Sequence, residues 1–237
     1  MSKFESSFLV NLVGETWYNQ LKDYLESEEF YKLGFAIANL RNRGIEIYPP
    51  SELIFRAFKE TPYDEVKVIL LAMDPYNNSP DAADGLAFSN SRAFRASPSI
   101  KIILEEIDNE YPEWKGDIEH GRLGWCDLKR WAEQGVFLYN SALTVEKDKP
   151  GSHIALWTPF TNKVVEALNR KNDLIWILLG KEAQKFSKKI GNQTHTVLEA
   201  PHPAAETYRR GAGFLGSGVF RKANEELIAR NKSIIYW

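Results

Sequence analysis

The amino-acid sequence predicts a three-layer α/β fold in which a four-stranded parallel sheet is flanked by helices. Four short runs are almost continuously apolar, as strands buried on both faces are, and helical patterns separate them along the chain. The runs cover residues 66–73, 135–140, 174–180 and 196–200. No linker divides the 237 residues, so we expect a single domain over residues 1–237.

Apolar residues at helical spacing predict the helices between these strands. The predicted helices cover residues 17–35, 98–111, 158–170, 181–190 and 220–229. The second begins at Ser97-Pro98-Ser99, where a serine cap and a proline in the first turn are typical of a helix start. Crossovers between parallel strands are right-handed, so we expect all the strands to present their carboxyl ends at one edge of the sheet.

The composition excludes several classes of protein. Because Cys126 is the only cysteine, a disulfide framework, a four-cysteine iron–sulfur cluster and a thiolate zinc site are ruled out. The four histidines are scattered and lack the spacing of metal ligands, so we expect no metal site. Neither a P-loop nor a G-x-G-x-x-G motif opens the first helix, and the chain contains no G-x-S-x-G motif. This argues against a nucleotide cofactor and against an esterase-type nucleophile.

Neither a signal peptide nor a membrane span is visible in the sequence. The N-terminus lacks the long apolar core of a signal peptide, and no apolar run reaches the roughly 18 residues of a span. We therefore expect a soluble intracellular protein, cytoplasmic in a bacterial or viral setting, with no membrane partner. The net charge of −2 does not indicate a nucleic-acid partner, although a local basic rim is sufficient for one.

Polar side chains follow the carboxyl end of each predicted strand. Asp74 follows the first strand, Asn140 ends the second, Lys181 follows the third and His202 follows the fourth. In open α/β folds, ligands bind in the crevice beyond these strand ends. The sequence therefore predicts a site that binds a flat ligand and performs acid–base or charge-stabilising chemistry on it.

Each of these residues also has a structural interpretation. Asp74 before a proline is typical of an Asx-turn, Tyr76 and Phe88 are typical core aromatics, and Asn140 is a common turn residue. His202 lies between two prolines, in what we interpret as a rigid turn. Only the joint placement of the residues at one edge of the sheet favours the functional interpretation.

Four motifs in this chain are similar to those of family-1 uracil-DNA glycosylases. The family motifs GQDPYH, GLCFS, GVLLLNTVLTV and HPSPLS correspond here to AMDPYN, GLAFS, GVFLYNSALTV and HPAAET. Further similarity lies in IYPPSELIFRAF, in WAEQGV, in SH and in GFLG, and it extends from about Gly14 to Trp237. Several uncommon motifs in the same order make the resemblance specific.

The resemblance implies a DNA-repair hydrolase. The enzyme would flip deoxyuridine out of single- or double-stranded DNA and hydrolyse its N-glycosidic bond, which is the first step of base excision repair. The products would be free uracil and an abasic site, and the reaction would need no cofactor. The resemblance further implies a monomer, with a DNA-mimicking protein inhibitor as a candidate partner at the same groove.

The resemblance also implies catalytic roles for two residues. Asp74 corresponds to the catalytic acid, which would be ionised, orient the attacking water and stabilise the positive charge that develops on the sugar. His202 corresponds to a neutral histidine that donates to uracil O2 as the base leaves. Backbone N–H groups near Met73 and Asp74 would also hold O2.

Three residues would select the base. The amide of Asn140 would pair with O4 and N3–H of uracil, a pattern opposite to that of cytosine. Phe88 would stack on the ring. Tyr76 would lie against C5 and reject thymine by a clash.

The DNA contacts implied by the resemblance lie on several loops. Ser97, Ser99 and Lys181 correspond to phosphate contacts, and the lysine adds a positive charge where the family commonly has a small polar residue. Met73 replaces the family's glutamine and Asn77 replaces its histidine. An asparagine can still form a hydrogen bond there, but it cannot titrate.

The largest departure from the family lies after His202. The family has a leucine there that wedges into the duplex, and the aligned residue here is Glu206, which is a poor wedge. The following loop is about two residues longer and contains Tyr208, Arg209 and Arg210. We hypothesise that Tyr208 or an arginine fills the gap and that the second arginine contacts phosphate. The alternative is that the enzyme prefers single-stranded DNA and needs little wedging.

Two other functions remain open at this point. The first is a non-catalytic DNA-binding relative that retained the fold, which the intact catalytic positions disfavour. The second is a glycosylase of wider base range, against which Tyr76 and Asn140 together argue.

Overall fold

The computed structural model describes residues 4–93, 96–114 and 126–237, and a parallel β-sheet lies at its centre. The strands along the chain are β1 (Ile47–Tyr48), β2 (Val68–Ala72), β3 (Val136–Asn140), β4 (Val145–Glu146), β5 (Ile175–Leu179) and β6 (Thr196–Ala200). Four of them form the parallel sheet in the order β3-β2-β5-β6, which confirms the predicted fold class. The short strands β1 and β4, which were not predicted, pair antiparallel in a second sheet.

The register of the sheet brings the strand ends to one level. Ala72 at the end of β2 pairs with Asn140 at the end of β3, and Leu179 of β5 pairs with Ala200 of β6. The residues that follow these ends therefore meet at one edge. The expectation of strands buried on both faces holds for β2, β3 and β5 but is wrong for β6, whose first four residues are partly or fully exposed. An edge position alone does not explain this difference, because β6 forms one edge of the sheet and the buried strand β3 forms the other.

Helices cover the sheet along the described parts of the chain. They are α1 (Ser6–Val13), α2 (Glu15–Leu25), α3 (Glu28–Asn42), α4 (Arg56–Glu60), α5 (Pro98–Glu110), α6 (Lys129–Ala132), α7 (Ile154–Asn169), α8 (Lys181–Gln184), α9 (Ala205–Tyr208) and α10 (Val219–Ala229). The predicted helices 98–111 and 220–229 agree with α5 and α10 to within one residue at each end.

The helix predicted over residues 17–35 is wrong, because the chain forms two helices there. Ser27 separates them: its side chain accepts a hydrogen bond from the N–H of Phe30 at 3.2 Å and donates to the carbonyl of Tyr24 at 2.6 Å. A serine in this arrangement caps a new helix instead of continuing the old one. The apolar spacing runs through both helices because both pack on the same core.

Two further boundaries differ from the prediction. The helix predicted from residue 158 begins one turn earlier, at Ile154, so Pro159 lies inside it. The helix predicted over 181–190 ends at Gln184, and a 3₁₀ turn over Ser187–Lys189 follows.

Aromatic residues form much of the core behind the sheet. The ring centroid of Trp17 lies 4.7 Å from that of Phe137 and 5.0 Å from that of Phe58, and all three side chains are buried. Interiors packed in this way are dense and deform little, so the strand ends above them are held in place. Within the described ranges, no helix has the length and apolar character needed to cross a membrane.

Candidate active site

A cleft of about 580 Å³ opens at the carboxyl edge of the sheet. It is lined by both predicted catalytic residues and by all the predicted base-binding residues, namely Asp74, His202, Met73, Tyr76, Phe88 and Asn140. Ser97, Ser99, Lys181 and Tyr208 line it as well, whereas Arg209 and Arg210 do not. We call Asp74, Tyr76, Phe88, Asn140 and His202 the base pocket, and Lys181, Tyr208, Arg209 and Arg210 the rim.

Asp74 is held at the cleft by a backbone group from a distant loop. The N–H of Gly151 donates to its Oδ2 at 2.6 Å. Burial raises the pKa of this carboxyl above its ordinary value, and the hydrogen bond from Gly151 opposes that rise. A partly desolvated carboxylate with a fixed orientation is suited to bind a water molecule and to stabilise a nearby positive charge. Gly151 was missed from the sequence, because a backbone donor carries no side-chain signal.

His202 has a defined tautomer. The backbone N–H of Ala204 donates to its Nδ1 at 3.1 Å, so Nδ1 carries no proton and the neutral ring carries its proton on Nε2. Burial lowers the pKa of this imidazole, which favours the neutral form at pH 7. The side chain is therefore a neutral hydrogen-bond donor.

Gly180, at the end of β5, leaves room for the histidine. A Cβ atom built at Gly180 would lie 2.9 Å from the Cβ of His202, and the φ of Gly180 is +88°. Both facts require a glycine at this strand end. Gly180 thus leaves space for the imidazole on one side, and Lys181, which follows it, lies on the rim.

Asn140 contributes a buried acceptor without a partner. Its side chain is 4 % exposed, and its Oδ1 forms no hydrogen bond with any described residue. Buried polar atoms without a partner are uncommon, because each costs free energy, and they are typical of sites that bind a ligand. The amide lies at the end of β3, where the cleft opens, and is able to read a hydrogen-bonding edge.

Phe88 and Tyr76 form an aromatic wall. Phe88 has φ = +62°, which is rare for a bulky residue and is typical of functional sites. Its ring centroid lies 5.7 Å from that of His202. The hydroxyl of Tyr76 donates to the carbonyl of Phe88 at 3.1 Å, so the two residues are held together. Burial, with a contribution from the charge of Asp84, raises the pKa of Tyr76, and the phenol stays neutral.

Asp84 supports this wall and was missed from the sequence. It is fully buried, it accepts hydrogen bonds from the N–H of Leu86 and the hydroxyl of Ser89, and it forms an ion pair with Arg56 at 3.1 Å. These bonds hold the turn that leads to Phe88. Only its position before Gly85 would have suggested a turn role.

The predicted phosphate contacts differ in exposure. Ser97 and Ser99 are nearly buried in the cleft wall, and the N–H of Ser97 donates to Asn90 Oδ1 at 2.9 Å. Lys181 is exposed. Arg210 is also exposed and forms an ion pair with Glu105 at 3.3 Å. The rim thus carries solvated side chains, in contrast to the base pocket.

Glu206 points into the protein and cannot act as a wedge in this conformation. It is 3 % exposed, and its carboxylate accepts hydrogen bonds from the backbone N–H groups of Gly211, Gly213, Phe214 and Leu215. Tyr208, two residues later, is 90 % exposed. Of the two hypothesised wedges, the tyrosine lines the cleft and the arginines do not.

The remaining histidines of the described chain form structural contacts. His153 is buried and shares a hydrogen bond with Thr144, while His195 accepts from the indole of Trp176 at 3.0 Å. Burial lowers the pKa of both. His120 lies outside the described residues.

Comparison with known proteins places the chain in a family. The sequence profile of the uracil DNA glycosylase superfamily matches residues 58–228. The chain belongs to this superfamily. A uracil-DNA glycosylase from Dichelobacter nodosus is 37 % identical over 227 residues, which is 95 % of each chain. One from Coxiella burnetii is 40 % identical over 230 residues, which is 94 % of each.

Solved structures of glycosylases share the fold. A mimivirus UNG variant, crystallised in complex with UGI, is 25 % identical, with a TM-score of 0.85 over 99 % of this chain and 91 % of that one.

The two residues that depart from the first glycosylase motif, Met73 and Asn77, form hydrogen bonds here through their backbone carbonyls. The carbonyl of Met73 accepts from the hydroxyl of Ser141 and the N–H of Ala142, each at 2.9 Å. The carbonyl of Asn77 accepts from the N–H of Asp148 at 2.9 Å. These backbone roles do not depend on the glutamine and histidine of the family.

Proposed function

We propose that this protein excises uracil from DNA by hydrolysing the N-glycosidic bond of deoxyuridine. The observation that carries the proposal is the assembled base pocket, in which a carboxylate, a neutral histidine donor and an unpaired amide acceptor line one cleft. Membership of the uracil DNA glycosylase superfamily gives this arrangement its substrate.

Recognition begins when the base leaves the stack and enters the cleft. Asn140 Oδ1 accepts the N3–H of uracil and the amide nitrogen donates to O4, which satisfies the acceptor that is buried without a partner. Cytosine presents the opposite pattern and leaves these groups unpaired, so it is rejected strongly. Phe88 stacks on the ring, and Tyr76 occupies the space beside C5 that the methyl group of thymine would need.

The bond between C1′ of the sugar and N1 of the base then breaks, and its electron pair leaves with uracil. Negative charge develops on uracil O2, where the Nε2–H of His202 and backbone N–H groups near Met73 and Asp74 stabilise it. Positive charge develops on the sugar, where ionised Asp74 stabilises it and orients water. The water oxygen adds to C1′ and its proton is released, by way of Asp74, to solvent. Donors aimed at developing charge are worth about 3–4 kcal/mol each.

On the rim, Lys181, Arg209 and Arg210 are proposed phosphate contacts, together with Ser97 and Ser99 in the cleft wall. Arg210 would exchange its exposed ion pair with Glu105 for a phosphate, which is an inexpensive exchange. We infer that Tyr208 fills the gap left by the flipped nucleotide, because its ring is exposed beside the cleft and a stacked aromatic contributes about 1–3 kcal/mol per base.

The proposed enzyme acts as a single-domain intracellular monomer without a cofactor. The DNA-mimicking inhibitor UGI, bound to the mimivirus relative, is a candidate partner at the same groove.

The activity is tested with a uracil-containing oligonucleotide that is cleaved with alkali at abasic sites. We expect strand scission only at uracil, in both single-stranded and duplex DNA. No scission by the wild-type protein contradicts the proposed function and favours the non-catalytic relative. Scission that survives in a double variant, Asp74→Asn with His202→Ala, contradicts the residue assignment.

The wedge assignment is tested separately with Tyr208→Ala and Arg210→Ala. We expect Tyr208→Ala to lose roughly tenfold in rate on duplex and little on single-stranded DNA, as the loss of one stacking contact predicts. Arg210→Ala should weaken binding to both substrates alike. Equal losses on both substrates in Tyr208→Ala contradict the assignment, and a wild-type enzyme that strongly prefers single-stranded DNA favours the alternative that little wedging is needed.

A further inference from the structure

The loop after His202 is held from inside by one buried carboxylate. Glu206 accepts from the N–H groups of Gly211 at 2.8 Å, of Gly213 and Phe214 at 2.9 Å, and of Leu215 at 3.3 Å. Gly211 and Gly213 have φ values of +77° and +98°. Consecutive backbone donors of this kind form an anion-binding concavity, which an internal side chain fills here.

Glu206 and Tyr208 lie on the same short helix, α9. Residues on an α-helix are separated by about 100°, so positions two apart point in nearly opposite directions. The exposures agree with this geometry, since Glu206 is 3 % exposed and Tyr208 is 90 % exposed. An inward Glu206 therefore directs Tyr208 outward at the cleft.

We propose that Glu206 is a positioning residue that sets the orientation of Tyr208 for entry into duplex DNA. The proposal rests on the proposed function. At the position where the family has its wedge residue, Glu206 instead anchors the loop. Tyr208, two residues later, takes the role of the wedge. Glu206 itself touches neither substrate nor reacting atoms.

A carboxylate suits the anchor better than an amide does. Burial alone would raise the pKa of Glu206, but the hydrogen bonds from Phe214, Leu215 and their neighbours outweigh it and lower the pKa, so the ionised form is favoured. In Glu206→Gln the amide keeps one acceptor oxygen, while its NH₂ group would face backbone donors. The loop should remain but lose its single preferred arrangement.

A second buried glutamate, whose backbone partners directly follow the Glu206 loop, provides a matched control. Glu106 of α5 is fully buried and accepts from the N–H groups of Gly216 at 2.6 Å and Gly218 at 2.9 Å. It anchors the next stretch of backbone in the same chemical way, but it is not part of α9. Glu106→Gln therefore shows the effect of losing a buried carboxylate anchor that is not part of the Tyr208 helix.

The experiment compares kcat/KM on duplex and single-stranded uracil substrates for wild type, Glu206→Gln, Tyr208→Ala, the double variant and Glu106→Gln. We expect Glu206→Gln to lower the duplex-to-single-strand ratio roughly tenfold, as Tyr208→Ala does. The double variant should be no worse than Tyr208→Ala alone, because both changes remove one function. Glu106→Gln should leave the ratio unchanged and lower only the melting temperature.

The outcomes separate this proposal from the proposed function. A wild-type protein that excises no uracil contradicts the function itself. An unchanged ratio in Glu206→Gln, or multiplicative losses in the double variant, overturns only the positioning role. If Glu206→Gln does not fold, Glu206→Asp decides, because it keeps the charge but is too short to reach all four donors. It should lower the ratio partly, and an unchanged ratio overturns the proposal.

Discussion

The base pocket and the rim differ in the burial of their side chains and in how those side chains are oriented. Base-pocket residues such as Asp74 and His202 are partly or fully buried and follow strand ends, and backbone N–H groups orient both: that of Gly151 in a distant loop for Asp74, and that of nearby Ala204 for His202. Rim residues such as Lys181 and Tyr208 are exposed and solvated. Electrostatic interactions are stronger in the drier environment. Changes in the base pocket should therefore affect chemistry, and changes on the rim should affect the response to DNA form and salt.

The largest expected effect is that of removing the Asp74 charge. Asp74→Asn keeps the shape and an acceptor for Gly151, but it no longer stabilises positive charge on the sugar. We expect the single-turnover excision rate to fall about 10²–10³-fold, on single-stranded and duplex DNA alike.

The same variant should be more stable than the wild type. The pKa of Asp74 is raised on folding, so its ionised form is disfavoured in the folded protein. Stability is therefore lost as the pH rises through the raised pKa. At pH 7 we expect Asp74→Asn to melt at a higher temperature than the wild type. A lower melting temperature would show that the carboxylate is structural.

The protonation states of two buried groups, Asp74 and His202, should determine how the excision rate changes with pH. Asp74 must be ionised, and its pKa is raised; His202 must be neutral, and its pKa is lowered. We expect the rate to fall about tenfold per pH unit below the pKa of Asp74 and to be flat around neutral pH. A rate that falls as the pH rises through the lowered pKa of His202 would mean that His202 acts as a cation, contrary to the tautomer inferred here.

A smaller effect is expected when the wall beside the base is opened. Tyr76→Ala removes the ring that lies beside C5, so thymine should enter and be excised slowly. Uracil excision should fall about tenfold, because discrimination by a clash does not require strong attraction. The matched control is Tyr76→Phe, which loses only the hydrogen bond to the carbonyl of Phe88. This variant should remain specific for uracil. Release of thymine by Tyr76→Phe would show that specificity depends on the hydroxyl and not on the ring.

The smallest effect is expected on the rim. Lys181→Ser removes one cation at the cleft, so the slope of log K against log salt for duplex DNA should become shallower by about 0.9. The excision rate at saturating DNA should not change. Lys188→Ser is the matched control, because Lys188 is exposed and does not line the cleft. Equal changes in slope for both variants would show that the effect comes from overall charge and not from the position of Lys181 at the cleft.

Much of the fold could be predicted because its signals are local. Continuous apolar runs identified β2, β3 and β5, and the shared direction of parallel strands predicted that Asp74 and Asn140 would meet at one edge. The break at Ser27 was missed because the apolar spacing continues through it. A serine cap competes with helix continuation only when its partners are in place.

The layered fold, the residues gathered at the strand ends and, through its motifs, the family could all be inferred from the sequence. These depend on periodicity and on residue identity, which a chain carries before it folds. The folded structure was needed to find the hydrogen bond that orients Asp74, the unpaired acceptor of Asn140 and the inward orientation of Glu206. The first and third depend on backbone N–H groups of other loops, and the second on the lack of any partner for Asn140 Oδ1 among the described residues. Such contacts exist only once packing has brought those residues together.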